Sequence, residues 1–334
     1  MDITVIVVAY NEERNIGSCL DSLLEQQYSG GEYEVVVVDG ASKDATADIV
    51  LEYAARDPRV RLVVNPGRTI ASNRNAGLKA ASYMYVAFTD ADCICPVYWL
   101  ERLSCGYAAV FAREPRLAGV GGGNSIGSQF GAYPESLGVT MDSYLAALGS
   151  VQAQQPKDSR PVESVACLNA FYDKRKLLEV GGFDEWLANM GEDWDVNYRL
   201  RLAGYRLFRL PDVSVVHRMR GRPSAFWKQM LDYGKGRARL MRKYRDIGSA
   251  RYAVPLLFVA GLLGCIAGYA ITGILAFLLP LLYFPAIGAY AAVLCAKRKK
   301  AALWPFVMLN FFIIHFGYSF GLAAGAFGRG RRPL

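Results

Sequence analysis

The sequence predicts an α/β protein with a mainly parallel sheet, followed by a helical membrane region. Three observations carry that expectation. Short β-branched apolar runs alternate with amphipathic helical patterns through the first half, the signature of βαβ units. Polar and acidic residues follow directly on several of those runs, where the carboxyl edge of such a sheet would lie. Charge then almost vanishes from Tyr252 to Phe327, apart from the cluster Lys297-Arg298-Lys299-Lys300. At 334 residues the chain also exceeds what one core usually organises. The division expected is residues 1–245 for the α/β domain and 246–334 for the membrane region.

Taken in order, Ile3–Ala9 reads as a first strand and 16–27 as a helix with Ile16, Cys19, Leu20, Leu23 and Leu24 on one face. Residues 35–38 give a second strand, 45–56 a helix, 60–64 a third strand, 70–82 a helix and 85–89 a fourth strand. Each strand is short and apolar, as helices covering both faces require. Tyr10, Asn11, Glu12, Asp39 and Asp90 thereby collect on one sheet edge. Farther on, 119–124 and 164–170 read as strands, 173–180 and 192–202 as helices, and 207–217 as one or two strands, while 127–160 has no clear period.

The tail holds apolar helices at about 253–273, 275–296 and 304–327, each near the ~20 residues that a bilayer crossing needs. Two spans joined as a hairpin return Lys297–Lys300 to the side of the soluble part, in line with the positive-inside tendency. A third span sends Arg329, Arg331 and Arg332 to the far side against that tendency, with a re-entrant last segment as the alternative.

The formal charge of +8 is concentrated between His217 and Arg251, beside the apolar tail, where cations meet anionic headgroups. No zinc-finger, RNP or helix-turn-helix pattern accompanies it, so the charge does not indicate nucleic acid. Seven cysteines, an odd number with no C-x-x-C pair, suggest reduced thiols. The first residues run straight into a strand without a basic start or cleavage site, so the soluble part is expected to face the cytoplasm, on a multi-pass protein of the cell membrane.

The strongest local signal is Phe88-Thr89-Asp90-Ala91-Asp92, two carboxylates one residue apart at a strand end. On extended backbone such side chains point the same way and offer hard oxygen ligands to one divalent cation, Mg²⁺ or Mn²⁺. Alone, an Asp-x-Asp is common in turns. Here it joins Val7-Val8-Ala9-Tyr10-Asn11-Glu12, Val37-Val38-Asp39-Gly40-Ala41-Ser42-Lys43-Asp44, Asn73-Arg74-Asn75-Ala76-Gly77, Gly181-Gly182-Phe183-Asp184-Glu185 and Gly191-Glu192-Asp193-Trp194-Asp195. Six motifs in this order resemble the family 2 inverting glycosyltransferases, which have the GT-A fold; the resemblance covers about the first 240 residues.

The resemblance implies that Ala9, Tyr10 and Glu12 line the base and ribose of a nucleotide-sugar and that Asp39 accepts a hydrogen bond from the base. The bland reading of Asp39 is a loop cap with Ser42. Arg74 would support the nucleotide or its phosphates, against a plain helix-surface arginine. Asp92 would be the direct metal ligand and Asp90 shared between metal and ribose. Asp193 would be the base that deprotonates the acceptor hydroxyl, with Glu192 and Asp195 as acidic residues favoured in a first helical turn. His217, at a strand end, stands where some relatives place a further metal ligand, though a structural histidine fits there as well.

Gln229, Lys235 and Arg237, with Tyr233, lie in a basic, glycine-containing stretch that would close over the diphosphate. The Gln-x-x-Arg-Trp of processive synthases is absent, since Met230-Leu231-Asp232 follows Gln229, which points away from long-polymer synthesis. The expectation is hexosyl transfer from a nucleoside-diphosphate sugar, UDP favoured over GDP, to a hydroxyl of a lipid-linked acceptor in glycoconjugate or polysaccharide assembly. A polyprenyl-phosphate glycosyl synthase and a catalytically silent membrane scaffold are the alternatives.

Overall fold

A computed structural model describes residues 1–67, 69–126, 131–147, 158–218, 221–244 and 249–327. The chain forms two compact units that interleave in sequence: Met1–Ser125 with Val151–Arg218, and Ile126–Ser150 with Met219–Leu334. This differs from the single cut expected at 245/246, because both an internal excursion and the stretch after Arg218 pack with the apolar helices. Arg329, Arg331 and Arg332 lie outside the described residues.

The first unit begins with β1 (Ile3–Ala9), α1 (Ile16–Leu24), β2 (Tyr33–Asp39), α2 (Thr46–Arg56), β3 (Val60–Val64), α3 (Ile70–Ala80) and β4 (Tyr85–Asp90). These follow the sequence pattern within three residues at each end, as β-branched runs buried on both faces dictate. β1 pairs in parallel with both β2 and β4, and β2 with β3. The short β5 (Cys93–Ile94), α4 (Trp99–Phe111) and β6 (Leu117–Ile126) come next. α4 has no counterpart in the sequence reading, although Trp99, Leu100, Leu103, Tyr107 and Val110 form its buried stripe at helical spacing.

α5 (Ala132–Met141) and the one-turn α6 (Tyr144–Ala147) belong to the second unit. The first unit resumes with β7 (Arg160–Val162), β8 (Ala170–Asp173), α7 (Lys174–Glu179), α8 (Glu192–Leu202) and β9 (Arg206–His217). The strand expected over 164–170 is instead irregular backbone at 164–166 and a 3-10 turn, Cys167–Asn169, leading into β8 at Ala170. Asn169 explains the interruption: buried, it accepts from Trp99 Nε1 at 2.8 Å and donates to the Gly123 carbonyl at 2.7 Å.

The strand order is β3-β2-β1-β4-β8-β6-β9-β5, with β7 on β9. The parallel half is the one legible in the sequence. Beyond β4 the pairings β4–β8, β6–β8, β5–β9 and β7–β9 are antiparallel. The core lies on both faces of the sheet, where each fully buried Val or Ile contributes roughly 1.5–3 kcal/mol.

The second unit continues with α9 (Pro223–Lys243), α10 (Ser249–Thr272), a 3-10 stretch Leu275–Leu282, α11 (Tyr283–Lys297), α12 (Trp304–Phe312), a π turn Ile313–Gly317 and α13 (Tyr318–Phe327). Among the described residues, three segments are long and apolar enough to cross a membrane: Tyr252–Thr272, Leu275–Lys297 and Ala301–Phe327.

Candidate active site

The site grows from the carboxyl ends of β1, β2 and β4. The loops after β1 and β2 are stitched to each other: Ser42 Oγ accepts from the Asn11 amide at 2.8 Å, Asn11 Oδ1 from the Lys43 amide at 2.8 Å, and Thr46 Oγ1 from the Glu12 amide at 2.8 Å. Asn11 and Ala41 take left-handed φ values of 56° and 59° to allow this, which the asparagine side chain tolerates well. Ala9 is buried at the end of β1, and Tyr10 beyond it is 46% exposed, an open aromatic face over the edge.

Asp39 is buried, with Oδ2 accepting the Ser42 amide at 2.9 Å and Oδ1 accepting the Ser42 hydroxyl. The loop-cap reading therefore describes its contacts in this chain. Each carboxylate oxygen retains a second lone pair, so a cap and a base contact are compatible.

Asp92 follows β4 by two residues and meets the end of β9. The antiparallel register sets Cys93 opposite His217, which brings His217 Nε2 to 3.2 Å from Asp92 Oδ2. The Arg218 amide donates to the Asp92 carbonyl at 2.9 Å, and the Arg218 guanidinium reaches back to Asn15 and to the Arg14 carbonyl. Asn15 Nδ2 in turn donates to Glu12 Oε2 at 2.5 Å. A chain of contacts thus joins the two ends expected to hold nucleotide and metal.

Asp92, Cys93 and His217 place their ligand atoms within 4.8 Å of one another. Burial pushes the Cys93 thiol well up, and the neighbouring Asp90 and Asp92 add to that, so it stays protonated beside the other two. The donors on offer are a carboxylate oxygen and an imidazole nitrogen, which suit Mn²⁺ and accept Mg²⁺. The residues fit a divalent cation.

Arg74 is not a surface arginine. It is buried on α3, donating through one guanidinium nitrogen to Glu192 Oε1 and through the other to Asp90 Oδ1 at 3.4 Å, while stacking over the Phe183 ring at 5.6 Å. Burial raises the Glu192 carboxyl to about 7 against the pull of Arg74, and burial also raises Asp90, again opposed by Arg74.

Asn75, on the same helix, holds the Gly181-Gly182-Phe183 turn: it donates to the Phe183 carbonyl and accepts from the Phe183 amide, both at 2.8 Å. Arg199, paired with buried Asp195 at 2.7 Å, donates to the Gly182 carbonyl at 2.6 Å from the other side. Asp193 then projects from the first turn of α8, only partly buried, with the Trp194 amide on its Oδ1 at 2.6 Å. Asp195 is thus structural and Asp193 reachable.

The arrangement brings Asp90, Asp92, His217, Arg74 and the start of α8 to one edge. Gln229, Lys235 and Arg237 lie on α9 in the second unit, because Phe226, Met230, Ala238 and Leu240 supply a buried helical stripe through the stretch. There Gln229 bonds Tyr233 at 3.1 Å, Lys235 meets Asp232 at 3.5 Å and Arg237 lies over Tyr252 at 3.9 Å. Residues that the sequence reading passed over are Asn75, Cys93 and Arg218. Cys93 and Arg218 could have been found as the immediate neighbours of Asp92 and His217.

The model of "Glycosyl transferase family 2" matches residues 4–104, and that of "Glycosyl transferase family group 2" matches residues 86–314, more than half of the chain. The chain belongs to the family 2 glycosyltransferases. It is 26% identical over 327 residues, 97% of this chain and 96% of the relative, to a dolichyl N-acetyl-alpha-D-glucosaminyl phosphate 3-beta-D-2,3-diacetamido-2,3-dideoxy-beta-D-glucuronosyltransferase of Methanococcus voltae. It is 30% identical to glycosyltransferase AglE of Haloferax volcanii, over 78% of this chain and 81% of that one.

Among solved structures, a mannosyltransferase from Pyrobaculum calidifontis in complex with GDP-Man and Mn²⁺ superposes with a TM-score of 0.56 at 23% identity, over 92% of this chain and 85% of that one. That likeness shows the fold: a GT-A glycosyltransferase sheet.

Proposed function

We propose that this glycosyltransferase moves a sugar from a nucleoside-diphosphate donor to a hydroxyl of a lipid-linked acceptor, with inversion, at the cytoplasmic face of a membrane that it enters as a multi-pass protein. The observation that carries this is the meeting of Asp92 with His217 at 3.2 Å beside Asp90, Arg74 and the α8 start that bears Asp193. Asp92 and His217, with Asp90 nearby, would hold Mn²⁺ or Mg²⁺, which supplies charge neutralisation for a departing diphosphate. Ala9, Tyr10 and Glu12 line the nucleotide, and Asp39 reads its base while held by Ser42.

Arg74 fixes Asp90 and the α8 start with respect to each other. Asp193 takes the proton of the acceptor hydroxyl as its oxygen attacks the anomeric carbon; the bond from that carbon to the diphosphate oxygen breaks with its electron pair, leaving the nucleoside diphosphate. The three apolar segments and the dolichyl-phosphate-linked substrate named for the Methanococcus relative support a lipid-linked acceptor. A UDP-sugar is the favoured donor and a GDP-sugar the other. The test is a donor screen on membranes containing the protein, with Mn²⁺ or Mg²⁺, scoring transfer of label to extractable lipid. Label from no nucleotide-sugar, or transfer undiminished by chelation, would sink the reading.

A further inference from the structure

Asp92 and Cys93 are neighbours in sequence, and on extended backbone their side chains would point to opposite faces. The turn at Ala91-Asp92, between β4 and β5, lets both reach one point: the Cys93 thiol donates to Asp92 Oδ1 at 3.9 Å. The β5–β9 register then sets His217 directly opposite Cys93, and opposed residues of an antiparallel pair share a face. A carboxylate, a thiol and an imidazole thus place their ligand atoms within 4.8 Å of one another, with His217 Nε2 at 3.2 Å from Asp92 Oδ2.

These separations are near the roughly 3.3–3.8 Å edges of a tetrahedron whose metal–ligand bonds are about 2.0–2.3 Å long, the geometry of Zn²⁺ with oxygen, nitrogen and sulfur. The sulfur decides which ion the set prefers. A carboxylate and an imidazole alone serve Mn²⁺ and Mg²⁺, which leave the S–H bond intact, whereas a thiolate selects softer ions such as Zn²⁺. Two other buried thiols are turned to different partners: Cys19 donates to the Asp90 carbonyl at 3.6 Å and Cys95 to Thr89 Oγ1 at 3.8 Å. Cys93 is in no disulfide, and it is the cysteine that joins Asp92 and His217.

Coordination number sets what each ion can do here. A cation held in octahedral geometry by Asp92 and His217 keeps four positions for diphosphate oxygens and water. Zn²⁺ held tetrahedrally by three protein ligands keeps one, too few for two oxygens of a diphosphate. We infer that Asp92, Cys93 and His217 form an inhibitory Zn²⁺ site, in which Zn²⁺ replaces the hard cation and blocks donor binding. The Zn–S bond forms as the S–H bond breaks, the proton passes to solvent and no electron moves. This rests on the reading that Asp92 and His217 hold the catalytic cation.

The test uses the full chain in detergent, with Co²⁺ as a coloured stand-in for Zn²⁺ and with bound Mn²⁺ followed by electron paramagnetic resonance. The unaltered chain is expected to show a thiolate-to-cobalt charge-transfer band in the near ultraviolet, which Zn²⁺ bleaches, and to release Mn²⁺ when Zn²⁺ is added. In Cys93→Ser the band is expected to be missing. The Zn²⁺ concentration that releases Mn²⁺ is expected to rise by at least about 100-fold, since losing even a group behind a ligand costs roughly 10–100-fold in metal affinity. Zinc X-ray absorption on the unaltered chain needs no variant and is expected to show one sulfur at about 2.3 Å. No sulfur on the zinc, or a cobalt band that survives Cys93→Ser, overturns the inference. A Cys93-dependent band with Mn²⁺ still bound at saturating Zn²⁺ keeps the sulfur site but overturns the inhibition, and with it Asp92 and His217 as ligands of the catalytic cation.

Discussion

Arg74 and Glu192, 118 residues apart in sequence, form a buried ion pair that joins α3 to the first turn of α8. The pair is the link between the end of β4, through the second Arg74 contact to Asp90 at 3.4 Å, and the residue proposed as base.

Removing one partner leaves the other charge buried. Arg74→Leu is therefore expected to destabilise the first unit by about 3–5 kcal/mol, while Arg74→Leu with Glu192→Leu recovers much of that loss. Denaturation of the single and double variants in detergent measures it. Additive losses would show that the two side chains do not act as a pair.

The raised carboxyl of Glu192 ties stability to pH. Its folded value near 7 stands above the ordinary 4.5, so between these values the unfolded chain has released a proton that the folded chain keeps. The contribution is fully present below about 4.5 and is lost as pH rises to about 7, after which the slope ends. Melting temperatures followed from about pH 5 to about 8 are expected to show a Glu192-dependent fall that Glu192→Gln abolishes. Identical profiles for the two proteins would contradict the assignment.

The parallel half of the sheet was legible because its strands are short apolar runs rich in valine, β1 and β2 being buried on both faces. The antiparallel half was harder. β8 hides behind a 3-10 turn imposed by Asn169, and β7 has only three residues. Asp92 and His217 were each readable as strand-end residues, but their meeting depends on the β5–β9 register, a pairing across more than a hundred residues that no local pattern encodes. A surface position remained an alternative for Arg74 because its helix has few large apolar side chains, its inward face including Ala71, Ser72, Gly77 and Leu78. The helical form of α9 is masked in the sequence by its many cations and its glycines, of which Gly234 serves close packing on α13.

If Asp92 and His217 hold the cation, losing either should raise the metal concentration needed for transfer. Asp92→Asn is expected to lower kcat/KM by about 100-fold or more, since charge neutralisation by a metal is worth several kcal/mol. His217→Ala is expected to shift the Mn²⁺ titration in the same direction with a smaller loss. An Asp92→Asn enzyme with an unchanged Mn²⁺ titration would exclude the carboxylate as a ligand.

Asp193 separates the chemistry of the acceptor from that of the donor. Its Oδ1 is held by the Trp194 amide at 2.6 Å on the first turn of α8, where the helix N-terminus favours a carboxylate, so Asn can replace it with little strain. Asp193→Asn is expected to lower kcat by about 100- to 10,000-fold with a hydroxyl acceptor, with donor KM nearly unchanged, because only proton removal in the transition state is lost. Steady-state kinetics with a lipid-linked sugar and, in parallel, with a polyprenyl phosphate distinguish the two acceptor classes. A phosphate is already ionised at neutral pH and needs no base, so full activity of the variant on polyprenyl phosphate would make that lipid the acceptor and leave Asp193 as a cap on α8.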